Sequence, residues 1–381
     1  MLDERHRAVE AMVRRFAEER IRPIAGELDR TARFPAELYR EMAGLGLFGL
    51  TVPAEAGGAG LDALGYAVVM EELARGYASV ADQVGLVELV ATLLVEQGTE
   101  AQRARFLRPL LAAELRPAYA ITEAEAGSDV AGITTTAVRT GRGWRLDGAK
   151  LWIHNAPICD VAVVLARTDP AAGKRGMSIF LVEADRPGVV RGRPEPKMGQ
   201  RASPLGELRF EGVELGEDAL LGPEGRGFHL MMSVLDKGRV GIAALSVGIA
   251  RAGLDAALAH ARTRRQFGRP IGENQGLRWM LADMAKDIQA ARLLVHDAAM
   301  RLDRGERATL ACSMAKCFAS DVAVAATRDA VQIFGGSGYI AGFEVERLYR
   351  DAKICQIYEG TNQIQREIIA RELFAAAEGG R

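Results

Sequence analysis

Cysteine is scarce in this 381-residue chain. The four present, Cys159, Cys312, Cys317 and Cys355, form no CxxC pair and no zinc-like spacing with a histidine, which excludes a disulfide scaffold and a zinc module and leaves reduced thiols as the expectation. Aromatics make up only 6% of residues, and neither sign of charge dominates, Lys plus Arg numbering 49 against 50 for Asp plus Glu. The basic residues are spread along the chain, which argues against a nucleic-acid binder. His229, His260 and His296 have no acidic or histidine partner at ligand spacing, so no metal is expected. No uninterrupted apolar run is long enough to cross a bilayer, and the charged start at Asp3, Glu4, Arg5 and His6 lacks the apolar stretch of a signal peptide. The expectation is a soluble, cytoplasmic protein with no membrane partner. A GxGxxG fingerprint after a first strand is also missing, so a dinucleotide would not be held in the Rossmann manner.

What is present divides into three zones, as the length leads one to expect. In residues 1–117 apolar side chains recur at helical spacing, for example Val9, Val13, Phe16 and Ile21, and Thr99 with Gln102 resembles a capping box. Residues 118–226 carry short β-rich runs at Ile133–Arg139, Trp144–Leu146, Val161–Ala166, Met177–Val182 and Leu208–Val213, with a Thr140–Gly143 turn between the first two. In residues 227–381 helical spacing returns, with Met280, Met284, Ile288, Ala291, Val295 and Ala298 on one stripe, as in a helix bundle. The fold class is therefore mainly α with an inserted β domain.

Five segments stand out. Ala120 to Val130 (AITEAEAGSDV) offers the backbone N–H groups of Gly127 and Ser128 and a hydroxyl, equipment for an anionic oxygen, although alone it is a turn. Lys150 to Asn155 (KLWIHN) puts Trp152 on a short strand, where a tryptophan usually fills core. Arg264 to Ile271 (RRQFGRPI), followed by Gln275, is a basic loop that by itself reads as solvated surface. Gln332 to Tyr339 (QIFGGSGY) reads as a helix end with turn glycines. Tyr358 to Gln363 (YEGTNQ) sets Glu359 just before a helix that Thr361 or Asn362 can cap.

Together, in this order and at these separations, the five segments resemble the signatures of the acyl-CoA dehydrogenase family over nearly the whole chain. The resemblance implies that family's fold, a helical domain, a β-barrel-like domain and a C-terminal four-helix bundle, and FAD as cofactor. It places Tyr119, Ile121, Thr122, Trp152, Ile153 and His154 at the flavin ring, and Gly127 and Ser128 by the pyrophosphate and the CoA arm. Arg264, Phe267, Gln275, Gln332, Gly335 and Gly336 match segments that reach the adenosine half of a neighbouring subunit's flavin, so a homotetramer built as a dimer of dimers is implied. Thr361 and Gln363 fall beside the flavin, and Asp236, Arg239, Tyr358 and Gly360 beside the acyl-CoA. Glu359 falls on the family's base. The alternative position for that base, just before Arg239, is here Gly238, which has no side chain.

The activity so implied is α,β-dehydrogenation of an acyl-CoA thioester to a trans-2-enoyl-CoA, in fatty-acid or branched-chain amino-acid catabolism, with electrons passing to an electron-transfer flavoprotein. The α-C–H is a poor acid, so a desolvated base and a stabilised thioester oxygen are needed. The family holds that oxygen with a flavin ribityl hydroxyl and the backbone N–H of the catalytic Glu. Burial should raise the proton affinity of Glu359. The sequence departs from the family at His154, commonly Thr or Ser, at Ala124, commonly Pro, and at Ser203-Pro204-Leu205. Rival readings are a flavin-dependent acyl-CoA oxidase of the same superfamily and a non-catalytic acyl-CoA/FAD-binding scaffold. The absence of an added C-terminal domain and the presence of Glu359 favour the dehydrogenase. Ser313 to Lys316 fits the SxxK of penicillin-binding enzymes but has no SDN or KTG companion, so it reads as helix packing. Glu88, in an apolar run, faces either an acyl cavity or solvent, and a short to medium or branched acyl group is expected.

Overall fold

The computed structural model describes residues 2–379. Seven helices precede the first strand: α1 (Glu4–Phe16), α2 (Arg22–Thr31), α3 (Ala36–Gly44), α4 (Ala63–Gly76), α5 (Ala78–Gln97), α6 (Glu100–Gln102) and α7 (Arg108–Leu111). The stripe through Val13, Phe16 and Ile21 is buried, but between Phe16 and Arg22 the helix widens into a π turn at Ala17–Ile21. Thr99 and Gln102 form the expected reciprocal capping box.

Eight strands follow in one sheet: β1 (Pro117–Ala120), β2 (Thr136–Thr140), β3 (Gly143–His154), β4 (Val161–Arg167), β5 (Met177–Glu183), β6 (Val189–Arg191), β7 (Leu205–Leu215) and β8 (Leu220–Leu221). Their order is β6-β7-β3-β2-β4-β5-β8, with β1 parallel to β4. Alternate residues such as Ala118, Leu146, Val164, Phe180 and Phe210 feed one inner cluster, which gives the sheet its barrel-like curl. The run expected from Ile133 enters the sheet only at Thr136, because Val130–Gly132 is a 3-10 turn. β3 runs well beyond Leu146 and carries the whole KLWIH segment.

The remaining helices are α8 (Gly227–Ser233), α9 (Leu235–Thr263), α10 (Gln275–Asp303), α11 (Thr309–Phe334), α12 (Glu344–Lys353) and α13 (Asn362–Gly379). α11 packs against α9, α10, α12 and α13, and α9 also packs on α4 and α5, so the two helical zones share one core. Met284, Ile288, Ala291, Val295 and Ala298 are buried as their stripe requires. One expectation needs correcting: Ala78–Gln97, Gly227–Thr263 and Thr309–Tyr339 are long and apolar enough to cross a membrane by length and composition. Counting uninterrupted apolar runs missed them because polar residues such as Glu88 and Lys316 punctuate each one. Their apolar windows are mostly buried within the fold. All four cysteines are free and buried.

Candidate active site

Glu359 sits where the chain must turn from α12 into α13. Its φ is +55° and that of Gly360 is +90°, the left-handed region that costs a side-chain-bearing residue free energy unless neighbours enforce it. Three side chains do so. The Gln365 amide donates to the carbonyls of Glu359 (3.1 Å) and Gly360 (3.0 Å), Lys316 Nζ donates to the Gly360 carbonyl (2.8 Å), and Thr361 Oγ1 caps α13 by accepting from Ile364 N–H (3.3 Å). The Glu359 carboxylate then lies against α9 at Gly238, so closely that a methyl group there would collide with it. A helix position without a side chain is thus filled by a carboxylate from another helix's entry turn.

Oε2 of that carboxylate is shielded from solvent and has no hydrogen-bond partner among the described residues. Burial pushes Glu359 up to about 7, helped by the Asp82 carboxylate and opposed by Arg239 and Lys316. The surrounding phenols are held well above their ordinary values, Tyr119 by burial and then Glu359, Tyr66 by burial and then Glu88, Glu359 and Asp82, and Tyr358 chiefly by burial. They remain neutral walls. Arg239 is fixed by Asp236 (2.5 Å), whose second oxygen accepts from Thr309 Oγ1 (2.7 Å), and Arg239 Nε is buried without a partner. The backbone N–H of Glu359 donates to no protein acceptor among the described residues. The site therefore presents a base with raised proton affinity and a free backbone donor beside it.

The β domain supplies the opposite wall. A register shift between Lys150 and Ile153 in the β3–β7 pairing is a bulge, and within it Trp152 adopts φ +55° and stands 58% exposed while Ile153 stays buried. The bulge is tied to the neighbouring segment, since Leu151 N–H donates to the Thr122 carbonyl (2.9 Å) and the buried Lys150 Nζ donates to the Ile121 carbonyl (2.9 Å) and Glu123 (2.8 Å). Glu123 also accepts from Thr134 and Thr135. Tyr119, one strand over, donates its hydroxyl to the Met231 carbonyl (2.9 Å). Tyr119, Ile121, Thr122, Trp152, Ile153 and His154 thus form one edge.

His154 has both ring nitrogens engaged by protein groups. Nδ1 faces the Asp82 carboxylate at 3.3 Å, Nε2 lies 2.8 Å from Gln83 Nε2 and 2.5 Å from Ser203 Oγ, and the Ser203 hydroxyl also donates to Asp82 (3.1 Å). Burial lowers the imidazole's proton affinity, Lys197 adds to this and Asp82 opposes it, so the ring is neutral. Asp82 links this edge to Glu359, since its charge is felt at both. Sequence reasoning did not find Asp82 or Gln83, named Lys150 and Lys316 without giving them a role, and noted Ser203 only as a departure. Pairs such as Ser203 and Asp82 are far apart in the chain, and no local pattern marks them.

The other residues singled out in the sequence lie elsewhere. Gly127 and Ser128 are exposed on the loop beyond the Glu123–Ala126 bridge, and Gln363 is exposed on α13. Arg264, Phe267, Gln275, Gln332, Gly335 and Gly336 gather at the end of the bundle where α9 stops, α10 begins and α11 ends, with Phe267 97% exposed and Tyr339 86% exposed. Nothing lies within 4 Å of where a side chain would start on Gly127, Gly335 or Gly336. At 1.5 Å per helical residue the Gly238 and Arg264 ends of α9 are about 39 Å apart. The two groups are not brought together within one chain.

Family models described as the N-terminal, middle and C-terminal domains of acyl-CoA dehydrogenase match residues 3–114, 118–213 and 225–374. A relative named 3-(aryl)acrylate reductase, from Clostridium sporogenes, is 41% identical over 377 residues, covering 97% of this chain and 99% of its own. Among solved structures, butyryl-CoA dehydrogenase from Megasphaera elsdenii superposes with a TM-score of 0.95 at 38% identity, covering 98% and 99% of the two chains. A chain from a structure described as electron transferring flavoprotein of Acidaminococcus fermentans gives 0.96 at 42% identity, covering 98% of both.

Proposed function

Since this chain belongs to the acyl-CoA dehydrogenase family, we propose that it oxidises the Cα–Cβ bond of an acyl-CoA thioester, with Glu359 taking the α-proton. The observation that carries this reading is the half-buried Glu359 carboxylate, which lies against Gly238 with Oε2 shielded from solvent and unpartnered among the described residues and is raised to about 7, beside its own free backbone N–H. A base with that proton affinity is half ionised near neutral pH and gains a strong drive to take a proton.

The residues present fit FAD. An exposed indole on a bulge and the open glycines at Gly127, Gly335 and Gly336 offer a stacking surface and backbone approach. When bound, FAD accepts the β-hydrogen together with its electron pair. Glu359 accepts the α-proton, the Cα–Cβ double bond forms, and Glu359 N–H holds the developing thioester oxyanion. Tyr66, Tyr119 and Tyr358 exclude water from the carboxylate, and Arg239, held by Asp236, limits how far its proton affinity rises. Trp152, His154, Ile121 and Thr122 line the ring side, with Thr361 and Gln363 at its edge, and Ser128 receives the pyrophosphate or CoA arm.

The separation of the two ends of α9 supports a shared cofactor. Arg264, Phe267, Gln275, Gln332, Gly335 and Gly336 are too far from Glu359 to serve the same flavin in one chain, so they serve a neighbouring copy, in a homotetramer. The acyl group is short to medium or branched. The Tyr66 hydroxyl lies against α9 at Gly241, one turn beyond Gly238. Glu88 does not face solvent: it is 1% exposed, its Oε1 accepts from the Thr51 N–H (3.1 Å) and hydroxyl, and its Oε2 is buried with no hydrogen-bond partner among the described residues. An electron-transfer flavoprotein is the proposed electron acceptor, in keeping with the similarity to the Acidaminococcus structure. The reductase name of the Clostridium relative favours a second reading, the same proton and hydride steps run toward the saturated acid derivative.

Anaerobic flavin bleaching by a panel of acyl-CoAs tests the first reading. One class should bleach the wild type rapidly and leave Glu359→Gln oxidised. Failure of every thioester to bleach, with enoyl compounds oxidising the pre-reduced protein, would select the second.

A further inference from the structure

Lys316 is wholly buried midway along α11, on the stripe that includes Cys312, Ala315 and Ala319. A charged group in such a place needs compensation. Nζ donates to the Gly360 carbonyl (2.8 Å) and to Asn362 Oδ1 (3.1 Å), that is, to the turn that carries Glu359 and to the first residue of α13. Asn362 is held in turn, its amide donating to Ser320 Oγ (2.9 Å) and Asp321 Oδ1 (2.8 Å). The Gly360 carbonyl thus takes donors from two helices, Lys316 on α11 and Gln365 on α13. Ser313 and Lys316 are buried in the helical core, and the lysine's N–H donors reach beyond its own helix.

We propose that Lys316 is a positioning residue for the base, its ammonium pinning the left-handed Glu359–Gly360 turn and supplying positive charge that keeps the carboxylate available in its ionised form. The proposal rests on Glu359 being the base. The groups that face Glu359 are Arg239 from α9, Asp82 from α5 and Lys316 from α11, together with the phenols of Tyr66, Tyr119 and Tyr358. Asp82 and burial oppose ionisation, and Lys316 and Arg239 favour it. Burial draws Lys316 itself down to about 8, so it still carries charge at neutral pH. Without Lys316, Arg239 is left on the favourable side among these groups, and the Gly360 carbonyl loses one of its two donors.

The test is the pH profile of the flavin-bleaching rate in Lys316→Met, Lys316→Gln and Lys316→Arg, read beside wild type on flavin-loaded protein. Lys316→Met should move the acid limb up by about one pH unit, a roughly tenfold loss on that limb that recovers as pH rises. Lys316→Arg should keep the limb near its wild-type position. If Lys316→Met does not hold flavin, Lys316→Gln, which keeps a donor but not the charge, should show the same shifted limb. A limb that stays put in the neutral variants, with any rate loss equal at all pH values, would overturn the proposal and leave Lys316 a packing residue. A wild type that no acyl-CoA bleaches at any pH would instead remove the base assignment, and this proposal with it.

Discussion

The two ends of α9 face opposite situations. At Gly238 the helix is buried, a carboxylate from another segment fills the space of the absent side chain, and Glu359 Oε2 and Arg239 Nε have no hydrogen-bond partners among the described residues. At Arg264 the helix ends in a basic hairpin whose Phe267 side chain is almost entirely in solvent, and Tyr339 and Ile340 beyond the end of α11 are exposed too. One end keeps polar groups out of solvent without partners, and the other holds apolar and basic groups in solvent. The contrast teaches that one chain does not bring the two groups together, and the proposed sharing of a flavin between copies rests on that separation.

Breaking the buried end should have the largest effect. Glu359→Gln is expected to slow bleaching by about 10⁴-fold while flavin absorbance is retained, measured by anaerobic stopped flow. Next, Gly238→Ala should cost about a hundredfold in bleaching rate, because the added methyl displaces the carboxylate. The same change suits a helix interior, so a loss of activity without a loss of thermal stability would separate site geometry from folding.

At the exposed end, the double change Arg264→Ala with Phe267→Ala should leave the Glu359 turn intact yet lower flavin affinity about tenfold and shift mass toward smaller species. The ratio of flavin to protein absorbance and sedimentation velocity report the two. An unchanged flavin content would break the comparison, since that end would then be ordinary surface.

The smallest effect expected is on stability. Glu359 has a folded proton affinity raised from 4.5 to about 7, so the folded protein holds more protons than the unfolded chain between those values, and this group's contribution falls as pH rises through that window. Glu359→Gln should therefore be more stable than wild type at about pH 8, by on the order of 2 kcal/mol, and the gap should close toward about pH 5. A gap independent of pH would show that the carboxylate is not strained by burial.

Much of this was legible in the sequence because periodicity and turn chemistry are local. The α10 stripe, the capping box at Thr99 and the Thr140–Gly143 turn all formed as their residues require. Glu359 was legible through its segment. What the sequence hid was long-range or conformational. The outward aim of Trp152 follows from a bulge that only pairing with β7 creates. Glu88 could not be oriented, because its partner Thr51 lies in a loop 37 residues earlier. Lys316 was dismissed for lacking motif companions, although a lysine on an otherwise apolar helical stripe was itself the signal that something buried accepts from it.

The most direct test of a site shared between copies is complementation. Glu359→Gln, which lacks the base, and the Arg264→Ala/Phe267→Ala chain, kept at a flavin concentration that leaves its weakened sites largely empty, are co-expressed, purified together and assayed for flavin bleaching by the acyl-CoA that works best on wild type. In mixed pairs one site joins an intact base end to an intact hairpin end, so about a quarter of wild-type turnover is expected. No activity above that of the separate variants, in assemblies shown to contain both chains, would contradict the account.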